Sequence, residues 1–143
     1  MIAVSADSID NIVWMPTHFR SAYYTTDRGR NWHRVRLPGE VLPLTGTHGE
    51  WFMPRKVLAA DRVLPGTFYI AHSGNPSNPQ LQGLWVTHDG GGTWTMVRPG
   101  EIAPDSGQAA KLHAVPGHAG HLFFTSSVAE GEDTRLRRSV DGG

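Results

Sequence analysis

One eight-residue signature constrains this chain more than its composition does. "TTDRGRNW" at 25–32 reads Thr-x-Asp-x-Gly-x-Asn-Trp, and "THDGGGTW" at 87–94 reads Thr-x-Asp-x-Gly-x-Thr-Trp. A third copy opens with "SVDGG" at 139–143. Asp27 and Asp89 are 62 residues apart, Asp89 and Asp141 52. A small unit recurring at such a spacing cannot bury its apolar side alone, so successive copies must pack on one another.

The residues around the signature repeat as well. "NIVWMP" (11–16), "GTFYIAHS" (66–73) and "GHLFFTSS" (120–127) precede it as compact aromatic strands, and "IAVSAD" (2–7), "KVLAAD" (56–61) and "KLHAVPG" (111–117) come one step earlier. Each unit therefore reads strand, tight turn, strand, loop, strand, signature turn, strand. The 17 glycines and 10 prolines fall between these short runs, the punctuation of an all-β chain. Four short antiparallel strands per unit, at a period of roughly 50–60 residues, predict blades of a β-propeller. The blades are expected at about 2–39, 56–100 and 111–143 of a single partial propeller, with 40–55 as an inter-blade insertion.

Charge and composition exclude several functions. Thirteen basic residues balance thirteen acidic ones, which leaves no electrostatic footprint for nucleic acid. No apolar run approaches the roughly 18 residues that cross a bilayer. With no cysteine there is no disulfide and no thiolate metal site. "MIAVSADSID" lacks the basic start and long apolar stretch of a signal peptide. No cofactor motif is present.

The glycine-rich turn needs no ligand to explain it. Its Asp can accept from backbone N–H groups left unpaired between two strands, and the leading Thr or Ser adds a hydroxyl. Gly29 and Gly91 supply conformations that a side chain resists, and Trp32 and Trp94 are expected to fold back as apolar plugs. A phosphate loop would want a lysine and a following helix, and a calcium loop would want alternating oxygen ligands ending in Glu; neither pattern is met.

The signature resembles the Asp-box (bacterial neuraminidase) repeat, Ser/Thr-x-Asp-x-Gly-x-Thr-Trp, which residues 87–94 match fully and 25–32 match except at Asn31. That repeat implies a propeller without implying an activity. The strings between the boxes, "VWMP…AYYTTDRGRNW", "LAADRVLPGTFYIA" and "KLHAVPGHAGHLFF" in that order, are similar to the late blades of glycoside hydrolase family 74. The resemblance implies an inverting enzyme of two seven-bladed propellers that cleaves xyloglucan or a related β-1,4-glucan in the cleft between them, extracellular or periplasmic. This chain would supply about two and a half blades, and the remaining blades of the longer protein would be its partners. The family's two catalytic aspartates lie upstream of the matched strings, so no catalytic residue is carried over. The other reading is a non-catalytic Asp-box propeller, a receptor-like binding domain or an assembly factor.

Inverting hydrolysis wants two carboxyl groups roughly 6.5–9.5 Å apart. Asp7 and Asp61, at the ends of related strands, read as a repeated structural carboxylate, and Glu130, Glu132 and Asp133 as a solvated hairpin tip. Trp51 and Phe52, in "THGEWFMPRK" (47–56), break the blade rhythm and are the candidates for substrate binding, since sugar rings stack on exposed aromatic faces. The alternative is that Trp51 folds over a blade edge. Trp14 and Trp85 are expected to pack in the core or between blades. His113, His118 and His121 straddle a Pro-Gly turn without a fourth ligand and make no zinc set. "HFRSA" and "FMPRK" do not supply a sialidase's ordered Arg-x-Pro string.

Overall fold

Short apolar runs cut by glycine and proline leave the backbone only local antiparallel partners, and the computed structural model shows that outcome. It describes residues 1–16, 22–40, 58–72, 74, 78–100, 111–126 and 135–143. Strands β1 (Ile2–Val4), β2 (Ile12–Trp14), β3 (Tyr23–Thr25) and β4 (His33–Arg34) form the first sheet. Strands β5 (Leu58–Ala60), β6 (Phe68–His72), β7 (Gly83–Thr87) and β8 (Thr95–Pro99) form the second, and β9 (Lys111–Ala114), β10 (Leu122–Ser126) and β11 (Arg135–Ser139) the third. Within each sheet every strand pairs antiparallel with the next in sequence. No α-helix occurs among the described residues, only one 3-10 turn at Pro79–Leu81. These are blades of a β-propeller.

The first strands lie side by side, β1 next to β5 and β5 next to β9, so the second sheet sits between the other two. Burial follows from that position. All of β5 and β6 is buried, the continuous pattern of a sheet covered on both faces. In the outer sheets only one face is covered, and the period-2 alternation of a strand sorts the side chains. Val13 and Tyr24, opposite each other, turn toward the second sheet, while Trp14 and Tyr23 turn away from it. In the third sheet Leu112, Leu122 and Phe124 turn inward, and Phe123 and Leu136 point outward.

The three signature turns are built alike. Thr25 Oγ donates to Asp27 Oδ1 at 2.7 Å and accepts from the Gly29 N–H at 3.0 Å; Asp27 in turn accepts from the Asn31 N–H at 2.9 Å and from Asn31 Nδ2 at 2.6 Å. In the second sheet Thr87, Asp89, Gly91 and Thr93 reproduce this pattern at 2.7, 3.1, 3.0 and 2.8 Å. In the third, Ser139 Oγ donates to Asp141 at 2.8 Å and accepts from the Gly143 N–H at 2.7 Å. Asn31 can stand in for Thr93 because both offer a side-chain donor to the second carboxylate oxygen. The left-handed stretch covers two residues in each turn, 28–29, 90–91 and 142–143, and only the first copy places a non-glycine, Arg28 at φ 65°, in its first position.

Two tryptophan expectations need correction. Trp94 is buried, its Nε1 donating to the Gly91 carbonyl at 2.9 Å, and is the expected plug. Trp32 is 39% exposed, and Trp14 is 42% exposed rather than core. Both lie on the face of the first sheet that no described residue covers, Trp14 meeting Trp32 edge to face at 5.9 Å and lying tilted against Tyr23 at 5.9 Å. The motif sets where the indole points; a neighbouring sheet decides whether it is buried.

Candidate functional site

The chemistry available is set by where the carboxylates go, and Asp10, Asp27, Glu40, Asp61, Asp89 and Asp141 are all tied into the scaffold. Asp27, Asp89 and Asp141 hold the turns. Asp10 pairs with Arg28, and Glu40 with Arg34 at 2.7 Å. Asp61 has no exposed surface. Its Oδ1 accepts the Val63 and Leu64 N–H groups at 2.8 Å each, and its Oδ2 accepts the Tyr69 hydroxyl at 3.0 Å and the Gly120 N–H at 2.9 Å. Burial pushes its pKa up, but the donors from Leu64, Gly120, Val63 and Tyr69 outweigh it and hold the carboxyl below its usual range. Burial and the adjacent carboxylate push Tyr69 upward and keep it a donor. A group committed to four donors has no lone pair left for a substrate proton. Asp61 is a clamp.

That clamp corrects the pairing of Asp7 with Asp61. Register places Ser5, one residue past β1, where Asp61 stands one residue past β5; Asp7 lies two residues beyond and is exposed. The Ser5 N–H donates to the Asn11 carbonyl as the Asp61 N–H donates to Thr67. Ser5 Oγ accepts the Gly66 N–H at 2.8 Å, as Asp61 accepts that of Gly120. Each residue thus fastens its sheet to the next. Aligning the strings by strand end instead of by the letter Asp would have found it.

The described histidines gather no metal site: no group of three or more His, Asp or Glu that could hold an ion occurs among the described residues. His118 and His121 stack at 5.0 Å across their turn. Burial pushes His72 down to about 4, so it is neutral at pH 7 and accepts the Gly74 N–H at Nδ1, 2.8 Å away. Trp51, Phe52, Glu130, Glu132 and Asp133 lie outside the described residues, as does most of the expected 40–55 insertion.

Two concavities are lined by described residues. An open depression of about 780 Å³ runs along the first strands, with Ile2, Val4, Leu58, Ala60, Leu112 and Ala114 in its wall. A cleft of about 620 Å³ separates the second and third sheets, with Ala71 and Leu84 on one wall and Leu112, Leu122, Phe124 and Arg137 on the other. The depression has no carboxylate in its lining, and the cleft has only Asp141, already held by its turn. Neither offers an acid–base pair.

The turns carry a pH dependence. Hydrogen bonds from Asn31 and Thr25 hold Asp27 down to about 2. At Asp89 burial raises the pKa, but the Thr93 and Thr87 donors prevail and bring it to about 2 as well. Folded values below the unfolded ones mean that the turns stabilise the fold above about pH 4, and that this contribution is lost as pH falls toward 2. The thermal midpoint is expected to drop over that window, and Asp89→Asn is expected to flatten the drop. A midpoint independent of pH between 4 and 2 would contradict this.

No protein-family model matches the sequence, and no curated protein does. Solved structures do. The structure of the GH74 enzyme of Niastella koreensis superposes with a TM-score of 0.60 at 23% identity, covering 99% of this chain and 17% of that one. The GH74 xyloglucanase from Xanthomonas campestris superposes with a TM-score of 0.57 at 25% identity, covering 97% of this chain and 17% of its own length. Over nearly its full length, this chain has the fold of a stretch of blades from a GH74 β-propeller.

Proposed function

We propose that these blades belong to a glycoside hydrolase acting on xyloglucan or a related β-1,4-glucan, working outside the cytoplasm in the extracellular space or periplasm. The observation that carries this reading is the likeness to GH74 structures along 97–99% of the chain, joined to the order of the strings between the signature turns. The turns themselves are Asp boxes on this reading, and their hydrogen bonds are those such a repeat requires. The blades scaffold one wall of the substrate cleft, Trp51 and Phe52 provide a stacking platform for sugar rings, and the catalytic aspartates lie outside residues 1–143.

A second reading, a non-catalytic Asp-box propeller, draws support from the tying of the partnered carboxylates into turns and clamps. One experiment separates the two. Purified residues 1–143 are expected to release no reducing sugar from xyloglucan, yet to be retarded in a xyloglucan gel and not in one containing an unrelated α-glucan. Trp51→Ala is expected to weaken the retardation about tenfold, equivalent to 1.4 kcal/mol. Absence of any glucan retardation favours the second reading, and turnover abolished by changing a carboxylate within 1–143 would show that the catalytic site lies here after all.

A further inference from the structure

Two of the three signature turns place a glycine directly after their aspartate, Asp89–Gly90 and Asp141–Gly142, whereas Asp27 is followed by Arg28. The pair carries a latent reaction, closure of a five-membered ring between the aspartate carboxyl carbon and the next amide nitrogen. Glycine leaves that nitrogen unshielded and lets the backbone reach the ring geometry.

In the folded turn both reacting groups are engaged elsewhere. The Asp89 carboxylate accepts the Thr87 hydroxyl at 2.7 Å, the Thr93 N–H at 3.0 Å and the Thr93 hydroxyl at 2.8 Å. Burial alone would raise its pKa, but these donors hold it at about 2, so at neutral pH it is ionised and has no hydroxyl to expel. The Gly90 N–H, on the nitrogen that would attack, donates to the Gly66 carbonyl at 2.9 Å. Gly66 is also the residue fastened to the first sheet, its own N–H donating to the buried Ser5 hydroxyl at 2.8 Å. Two hydrogen bonds thus connect the joint between the first and second sheets to the nitrogen beside Asp89. The Asp141 turn is held by a separate route, Gly142 N–H to the Gly120 carbonyl at 2.8 Å and Gly120 N–H to Asp61 at 2.9 Å.

We propose that Asp89–Gly90 is a site of spontaneous isoaspartate formation, gated by the hydrogen bonds that tie Gly90 to Gly66 and Gly66 to Ser5. When the joint opens, the released carboxyl takes up a proton and the Gly90 nitrogen bonds to Asp89 Cγ. The Cγ–OH bond breaks, and the hydroxyl leaves with the amide proton as water. Water then adds to either carbonyl of the five-membered imide. Addition at the main-chain carbonyl leaves the chain running through the former side chain, one methylene longer, with the carboxylate on the α-carbon. Water is the only other reactant, and the composition is unchanged. The relocated carboxylate no longer meets Thr87 and Thr93 together, so the turn does not re-form and a transient opening becomes permanent. At Asp27 the Arg28 side chain crowds the nitrogen and slows the closure. The reaction is independent of any glucan bound by the blades.

The intact chain is aged at neutral pH, folded and in concentrated urea. The tryptic peptides carrying Asp27, Asp89 and Asp141 each hold a single aspartate, and electron-transfer fragmentation distinguishes isoaspartate from aspartate in each. In urea, Asp89 is expected to convert faster than Asp27. In the folded chain its conversion is expected to slow at least about tenfold, because it waits on a local opening. Ser5→Ala is expected to speed conversion at Asp89 at least about fivefold, the gain in open population from one lost buried hydrogen bond. The rate at Asp141, held through Asp61, is expected to stay as it was, and Ser5→Thr, which keeps the hydroxyl, to return Asp89 to the wild-type rate. Low urea makes the test independent of any variant: conversion at Asp89 is expected to rise below the unfolding transition. No conversion at Asp89 in concentrated urea, or equal rates folded and unfolded, would overturn the proposal. So would an unchanged rate in folded Ser5→Ala, or a rise in urea confined to the unfolding transition.

Discussion

Asp61→Ala is expected to be the most damaging single substitution among the described residues. It strands the N–H groups of Val63, Leu64 and Gly120 and the hydroxyl of Tyr69, all now within 3.0 Å of the carboxylate. Removing one partner of a buried charged network costs roughly 3–5 kcal/mol, which for a domain of this size lowers the thermal midpoint by on the order of 10 °C. Asp61→Asn is expected to lose less, since its oxygen still serves Val63 and Leu64 while its amide nitrogen faces the other two donors. Exchange of the Gly120 amide reports the joint directly: it should accelerate in both variants. A midpoint within a degree or two of the wild-type value for Asp61→Ala would show that the joint does not depend on the carboxylate.

Gly91→Ala is the second. At φ 114° the backbone already disfavours a side chain, and a Cβ there would sit 2.6 Å from the Tyr24 Cβ of the neighbouring sheet. A flexible chain end could swing aside; a Cβ cannot move without its backbone. Left-handed strain of about 1–2 kcal/mol adds to an overpacking cost of about 1–3 kcal/mol. Gly117→Ala is the control, because its φ is 75° and nothing lies within 4 Å of the added carbon. It should show the strain alone. Chemical denaturation of the two variants gives the difference, and equal losses would mean that the sheets separate enough to admit the methyl.

The architecture was legible in the sequence wherever a local rule decides it. Thr-x-Asp-x-Gly fixes a turn by its own hydrogen bonds, so three turns and the strands beside them could be placed from spacing alone. What depends on a neighbour was not legible. Trp32 and Trp94 are identical in the motif and differ in burial because one lies against another sheet and the other does not. The Ser5 clamp was hidden because serine and aspartate do the same work at that joint, accepting one N–H, while Asp7 repeats the residue type of Asp61 two positions beyond the structural match. Position 28 was missed for a related reason: the signature marks its fifth residue as glycine, whereas the left-handed backbone begins one residue earlier, where Arg28 tolerates what Gly90 and Gly142 adopt freely.

The clamp has a direction. At both internal joints the acceptor belongs to the earlier sheet and the donor to the later one, Ser5 to Gly66 and Asp61 to Gly120. Such a contact is head-to-tail, and head-to-tail contacts between identical pieces either close a ring or run on as a filament. The two outer faces of this chain are not matched for that. Val115, which follows β9 as Ser5 follows β1, has no side-chain acceptor, and the Asp10 N–H, which corresponds to those of Gly66 and Gly120, is taken by Ser8 Oγ at 3.0 Å. Two copies meeting end to end through these faces would not repeat the clamp, so such an arrangement lacks the fastening that holds the internal joints.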